Sequence, residues 1–380
     1  MQRLSSSIIV VASLLMQIPS FAGEIVDPAR AVTEENSDIL WYDVELLGVE
    51  GQGWNDTKAT FDRLPAKAEG VVRDAVWGLS RQSAGLAVRF KTDATTIQAR
   101  WSLTGSNLAM PHMPATGVSG LDLYVKTEAG LWRWLANGRP TQVAGNIAKL
   151  ADGIPAGDRE YMLYLPLYNG VTSVEIGVAK ANYLETLPRP AEAKPIVFYG
   201  TSITQGGCAS RPGMVHTAIL GRRLDRAVIN LGFSGNGKME QEVADLLAEL
   251  DVAVYVIDCL PNMDAAEVAA RTEPLVHTLR KSHPTTPILL VEDRSYTDAF
   301  LVDSKRQRNE SSREVFRAAY ERLVAAGVER LAYLEGEHLL GDDGEATVDS
   351  SHPTDLGFMR MADAFEPPLK QLLAEESTGQ

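Results

Sequence analysis

The hydrophobic period of this chain changes once, and that change constrains the fold more than any other feature of the 380 residues. After the proline pair of Leu187-Pro188-Arg189-Pro190, continuous apolar runs occupy residues 196–199, 227–231, 252–257, 287–291 and 331–334. Stretches of helical period follow at 214–224, 239–250, 265–282, 308–326 and 353–374. Short runs without alternation mark strands buried on both faces, and strand then helix repeated five times means a parallel sheet covered by helices on both sides. Before the prolines the pattern is different. Runs at 39–47, 85–90, 96–103, 121–126, 160–165 and 173–178 alternate and are broken by Gly, Pro, Asn and Asp, as in an antiparallel β-sandwich of jelly-roll-like type. The expected organisation is a sandwich over 38–185, a linker over 186–194, since paired prolines block helix and ladder alike, and a doubly wound α/β domain over 195–375.

Composition excludes several functions. Lys and Arg total 36 against 50 Asp and Glu, a formal net charge of −14, and no basic block stands out. Phosphate binding needs a cationic footprint, so nucleic acid is not an expected partner. Residues 1–22 read as a cleaved export signal: Arg3 is the one charge, a short apolar run covers 8–16, and Ser20-Phe21-Ala22 offers small residues for cleavage. The run is too short to span a bilayer, and the mature chain is expected to be secreted or periplasmic without stable membrane insertion. Cys208 and Cys259 are the only cysteines, which excludes a disulfide scaffold and a cysteine-rich zinc site. His216, His277, His283 and His338 lack ligand-like spacing, so no metal is expected.

In open parallel sheets the ligand lies beyond the carboxyl ends of the strands, so the residues just after each run carry the chemistry. The first run ends Tyr199-Gly200-Thr201-Ser202-Ile203-Thr204, which sets Ser202 at a strand-to-helix turn, where its Oγ and its own N–H address the same point. A serine in that position also serves as a helix cap. The second run ends Leu231-Gly232-Phe233-Ser234-Gly235-Asn236-Gly237, a glycine-rich turn in which Gly232 offers an N–H to an anion. After the third run, Asn262 in Leu260-Pro261-Asn262-Met263 supplies a side-chain amide, although asparagine after proline is also a common turn residue. Asp349-Ser350-Ser351-His352-Pro353 places a carboxylate and an imidazole three residues apart on one turn. There Asp349 accepts from His352 Nδ1–H and leaves Nε2 free for a serine proton.

These four segments, in this order, resemble the sequence blocks of the SGNH (GDSL-like) hydrolases. Thr201 stands where the family has the Asp of Gly-Asp-Ser, and the G-x-S-x-G elbow of α/β-hydrolases is absent, Thr204 occupying its second Gly position. Ser119-Gly120-Leu121-Asp122-Leu123-Tyr124 resembles the GxDLY motif of the β-sandwich domain that precedes such hydrolases. Together the matches span about residues 38 to 375. They imply a flavodoxin-like five-stranded hydrolase domain that needs no cofactor, in which Ser202 is nucleophile, His352 base, Asp349 its orienting partner, and Ser202, Gly232 and Asn262 the oxyanion hole. In the family's strand order the segments bearing Cys208 and Cys259 are neighbours, so a disulfide between them and two buried free thiols are both open.

All six Trp fall in the front half. Trp132 and Trp134, two apart, share one strand face, either in the sandwich core or as a platform for a pyranose ring. His112, in Met110-Pro111-His112-Met113-Pro114, sits on a proline-bracketed loop that either reaches the hydrolase crevice or is an ordinary loop residue. With no apolar lid in the sequence, the expected function is removal of small acyl groups, acetyl above all, from carbohydrate. A lysophospholipase, a broad carboxylesterase and a non-catalytic carbohydrate-binding protein are the alternatives.

Overall fold

The structure is a computed structural model describing residues 23–378; the expected export signal over 1–22 lies outside the described residues. The front half contains strands β1 (Val32–Thr33), β2 (Ile39–Asp43), β3 (Val49–Glu50), β4 (Ala87–Thr92), β5 (Ile97–Leu103), β6 (Leu121–Lys126), β7 (Trp132–Gly138), β8 (Asn146–Ala151), β9 (Arg159–Tyr164), β10 (Val171–Ala179) and β11 (Glu185–Thr186). Two short helices, α1 (Asp74–Ser80) and α2 (Ala115–Val118), interrupt them. One sheet runs β1-β2-β10-β5-β8 and the other β11-β4-β9-β6-β7, with β3 added beside β4. Between them lies a core that includes Tyr42, Phe90, Ile97, Trp101, Leu123, Tyr161, Leu163 and Ile176.

The back half is a parallel sheet of β12 (Ile196–Gly200), β13 (Val228–Gly232), β14 (Val254–Asp258), β15 (Ile288–Val291) and β16 (Leu331–Leu334), in the order β13-β12-β14-β15-β16. Its helices are α3 (Ser202–Gln205), α4 (His216–Leu224), α5 (Gln241–Leu247), α6 (Ala265–Ser282), α7 (Asp303–Ala325) and α8 (Asp355–Thr378). The register pairs Gly200 with Gly232 on one side and with Asp258 on the other, so three strands end at one level and deliver their loops to one place.

Several boundaries differ from the sequence pattern for physical reasons. The run at 39–47 stops being a strand at Asp43, whose side chain accepts from Glu45 N–H and opens a 3-10 turn. α7 begins at Asp303 rather than 308, with an acidic residue in its first turn. α8 begins at Asp355, because Pro353 is taken up in a bridge to Thr347. Trp132 and Trp134 are not in the sandwich core: Trp134 is 47% exposed, donates from Nε1 to Asp122 Oδ1 at 2.8 Å and lies under the Arg211 guanidinium.

The two halves are packed into each other. On β9, Tyr161 and Leu163 enter the sandwich core while Met162 and Tyr164, on the opposite face, pack with Ala87, Tyr124 and Ala218 of α4. Front-half residues complete both cores of the parallel sheet: Trp54, Leu64, Val72 and Val76 on the α5–α6 side, Ala84, Met113, Val118 and Leu167 on the α4–α8 side. Arg63, 1% exposed, donates to the carbonyls of Leu79 and Gln82 and, across the junction, to those of Asn230 and Gly232 at 2.9 and 2.8 Å. With no carboxylate against it, burial pulls its pKa down to about 9.

The GxDLY residues form a second clamp. Asp122, fully buried, accepts from Trp134 Nε1, from Arg211 Nη1 at 2.9 Å and from Gly213 N–H at 2.8 Å, while the Arg222 guanidinium stacks 3.9 Å above the Tyr124 ring. Gly120 is required by close approach, since a Cβ there would stand 2.5 Å from Thr116 O. The expected linker is itself fastened, with Arg189 bonded to Glu50 of the front half and Asp225 of the back.

Candidate active site

β12 ends inside the protein, and its last carbonyls and the following turn are fixed by backbone bonds. Thr201 caps α3 by accepting from Ile203 N–H, the same cap an aspartate would provide, which accounts for threonine at this position. Gly206 (φ +115°) ends the helix, and the N–H groups of Gly206 and Gly207 both donate to Ser202 O, at 3.0 and 2.7 Å. Tyr168 Oη donates to the same carbonyl at 3.1 Å. Ser202 is thereby held 8% exposed, its Oγ facing out of the turn.

The structure brings Ser202, His352 and Asp349 into one hydrogen-bonded chain: Ser202 Oγ lies 2.8 Å from His352 Nε2, and His352 Nδ1 lies 2.8 Å from Asp349 Oδ2. Burial alone would raise the Asp349 carboxyl, but the N–H of His352, its ring and the N–H of Ser351 hold it below the usual carboxylate value, so it stays ionised. An ionised Asp349 fixes the proton on Nδ1 and leaves Nε2 to accept from the serine hydroxyl. The turn between them puts Ser350 at φ +72°, a strained conformation for a residue with a Cβ. It is held there by Lys305 Nζ on Ser350 Oγ at 2.6 Å and by Thr297 N–H on Ser350 O at 3.0 Å.

The glycine expected in the oxyanion hole does not have a free N–H. Gly232 N–H is already donated to Asn230 Oδ1 at 2.9 Å, and the residue is buried, pressed so closely on α3 that a Cβ would meet Gln205 N at 2.1 Å. Gly232 is a packing glycine. Three residues on, Gly235 lies at φ +69° between Ser234 and Asn236, both of which line the cleft with Ser202, and among the described residues its N–H has no partner. The run Ser234-Gly235-Asn236 was visible in the sequence, but spacing alone does not say which glycine of the turn faces outward. With the Asn262 amide oriented so that its oxygen faces the available donors, that oxygen accepts from the N–H groups of Asn236 and Gly237 at 3.0 and 3.2 Å. Asn262 thus braces the glycine turn and turns its NH2 away from it. The same turn is gripped from the front half by Arg73, which bonds to Asn236 Oδ1 at 2.7 Å, and from α3 by Gln205 Oε1, which accepts from Ser234 N–H at 3.0 Å.

Both cysteines are buried free thiols and no disulfide joins them. Burial, with a contribution from Asp349, pushes the Cys208 thiol up to about 12, so it is not a nucleophile at neutral pH. Among the described residues no group of three or more His, Cys, Asp or Glu is arranged to hold a metal ion.

The cleft over Ser202 has a volume of about 620 Å³ and two owners. Ser202, Gly207, Ser234, Asn236 and His352 come from the back half; Ala75, Gly78, Leu79 and Gln82 of the α1 region, Met110, His112 and Tyr168 come from the front. His112 does reach the crevice, its ring centroid 6.4 Å from that of His352. The α1 wall had no signal in the sequence pattern, because the segment around it is irregular and only half-buried.

Comparison with known proteins agrees with this geometry. Residues 193–370 match the GDSL-like lipase/acylhydrolase family, and residues 39–184 match the GxDLY N-terminal region of SGNH-hydrolase-type esterases. No protein of curated function matches the chain. Among solved structures, one from Bacteroides ovatus ATCC 8483, named as a GDSL-like lipase, is 35% identical, with 88% of this chain and 98% of that one covered and a TM-score of 0.84. A salicylyl-acyltransferase from a tetracycline biosynthetic pathway (20% identity, 90% and 97% covered, TM-score 0.70) shares the fold. So does a family two carbohydrate esterase from Clostridium thermocellum, solved with cellohexaose (16% identity, 77% and 93% covered, TM-score 0.55).

Proposed function

Since the chain belongs to the GDSL-like (SGNH) hydrolase family of esterases, we propose that it removes small acyl groups, acetyl above all, from carbohydrate by a serine acyl-enzyme mechanism. The observation that carries this reading is the chain Ser202 Oγ–His352 Nε2–Asp349 at the floor of an open cleft. Ser202 Oγ attacks the ester carbonyl and its proton passes to His352 Nε2, the imidazolium being stabilised by Asp349. The oxyanion meets the N–H groups of Ser202 and Gly235 and the Asn262 amide. Each such donor contributes roughly 2.7 to 4 kcal/mol to the transition state. Collapse breaks the ester C–O bond and returns the proton from His352 to the leaving alcohol. Water then attacks the acyl-serine with His352 as base, releasing the acid and restoring the hydroxyl. None of these steps calls on a cofactor.

Carbohydrate as the acylated substrate is supported by the shared fold with an esterase solved on a cello-oligosaccharide and by an open cleft. Export through residues 1–22 belongs to the same reading, since polymeric glycans are met outside the cytoplasm. A broad carboxylesterase is the second reading, favoured by the apolar wall of Ala75, Leu79 and Met110. Hydrolysis of 4-nitrophenyl acetate, butyrate and octanoate, with acetate release from acetylated xylan, decides between them. Activity confined to acetate with release from xylan supports the first reading; activity rising with chain length supports the second.

A further inference from the structure

The front half places an imidazole with no hydrogen-bond partner among the described residues at the cleft beside His352, and it does so on a rigid support. Met110-Pro111-His112-Met113 is closed by two backbone bonds, Met113 N–H to Met110 O at 3.1 Å and Met110 N–H to Met113 O at 2.9 Å. Pro111 at the second position presets the turn, and Pro114 follows immediately. Met113, 2% exposed, is buried in the α4–α8 core beside Ile203, Ala209 and Val215, so the turn is rooted in the back domain although the front domain supplies it. Gly117, in the helix that follows, lies where a Cβ would meet Ala209 O at 2.3 Å and Met113 Cε at 2.9 Å, which presses the root against the segment after the nucleophile. His112 is the tip of this turn. Its ring is exposed to the cleft and, among the described residues, makes no hydrogen bond.

The position of that ring selects what it can touch. For proton transfer the leaving oxygen must lie within hydrogen-bond reach of His352 Nε2. A ring centred 6.4 Å from the His352 ring is near enough that an alcohol held at His352 Nε2 can present a neighbouring hydroxyl to it. An imidazole offers one donor and one acceptor, the complement of a hydroxyl. We infer that His112 is the specificity-determining residue for the alcohol half of the ester, binding a hydroxyl on the carbon next to the acylated one. The enzyme would then select esters of vicinal diols, such as monoacylated sugars, over esters of simple alcohols and phenols. This inference rests on the esterase reading and deepens it. It also gives the sandwich domain a part in substrate selection that its own surface does not suggest.

The test compares two esters that differ in that hydroxyl, using the full chain: a methyl β-xylopyranoside monoacetate with a free neighbouring hydroxyl, and 4-nitrophenyl acetate, which has none. His112→Ala is expected to lower kcat/KM on the sugar ester about tenfold, chiefly through KM, and to leave 4-nitrophenyl acetate within about twofold, the scale of one hydrogen bond. His112→Gln, which keeps a donor and an acceptor, is expected to recover most of the loss. Its comparison with wild type serves in place of the alanine variant should the latter lower the melting temperature. Equal losses on both esters, or none on the sugar ester, overturn the inference. If wild type cleaves 4-nitrophenyl acetate but not the sugar ester, the esterase reading stands and this inference falls. If wild type cleaves neither, both fall together.

Discussion

The two sheets of the front domain have the same construction and opposite fates. In the sheet containing β5 and β10, one face meets the sandwich core and the other meets water, and β5 accordingly alternates strictly between buried and half-exposed positions. In the sheet containing β4, β6 and β9, both faces are covered, one by the sandwich core and the other by α4 and the segment after Ser202; β9 has four consecutive buried residues. The first sheet is an ordinary sandwich wall. The second is the wall on which the hydrolase is built, and Asp122, Tyr124 and Tyr164 on its outer face are the means of attachment. A domain appended by a flexible linker would show one buried face on each sheet. This one shares its core with the catalytic sheet, and its α1 and His112 turn line the catalytic cleft.

Substitutions at four positions separate the two sheets by their consequences. Arg63→Met should have the largest effect, because it removes a buried donor from four carbonyls spanning the junction. A loss of at least about 3 kcal/mol is expected, read in a urea melt followed by tryptophan fluorescence and by residual activity, with both signals falling together. Two separated transitions would instead show domains that fold independently. Asp122→Ala leaves Arg211 and Gly213 N–H without their acceptor and should cost about 3 kcal/mol. It carries a pH signature as well. Burial raises the Asp122 carboxyl above its ordinary value, so the folded chain takes up this proton before the unfolded chain does as pH falls. The group alone therefore adds stability on acidification from its raised folded value down to the ordinary one. Asp122→Asn should remove that rise from the pH–stability curve.

Gly207→Ala acts on the cleft and not the junction: the new Cβ would stand 2.9 Å from Tyr168 Oη and 3.3 Å from His352 Cδ2. The expected result is a fall in kcat of about tenfold, as the base is displaced from the serine, with little change in melting temperature. On the solvent face of the other sheet, Arg100 is bonded to Glu175 and Glu34 and stacks on Trp41. Arg100→Ala should cost no more than about 1 kcal/mol and leave activity untouched. An activity loss there would mean that the outer sheet is coupled to the site after all.

What could be read from the sequence follows the same division. The strands β12 to β16 were legible as continuous apolar runs, and the segments that follow β12 and β16 pointed to Ser202, Asp349 and His352. β8, at a sheet edge, was missed because its exposed residues break the alternation, its burial being confined to Asn146 and Leu150, and β7 was marked only by Trp132 and Trp134 sharing a strand face. α1 and Arg63 were missed because they belong to an irregular stretch whose order comes from the domain against which it packs. Gly232 and Gly235 look alike in a glycine-rich turn, and only the hydrogen bond that Gly232 N–H donates to Asn230 Oδ1 shows that the first is not free for an anion. Trp132 and Trp134 sit outside the sandwich core because β7 turns this face toward the junction, where Arg211 and Asp122 use it.

The most direct test of the account is acetate release by wild type and by Ser202→Ala, with thermal melting of both. The account predicts that the variant keeps the wild-type melting temperature and loses turnover by about 10⁴-fold or more. Turnover retained within about tenfold, with the fold intact, would contradict it.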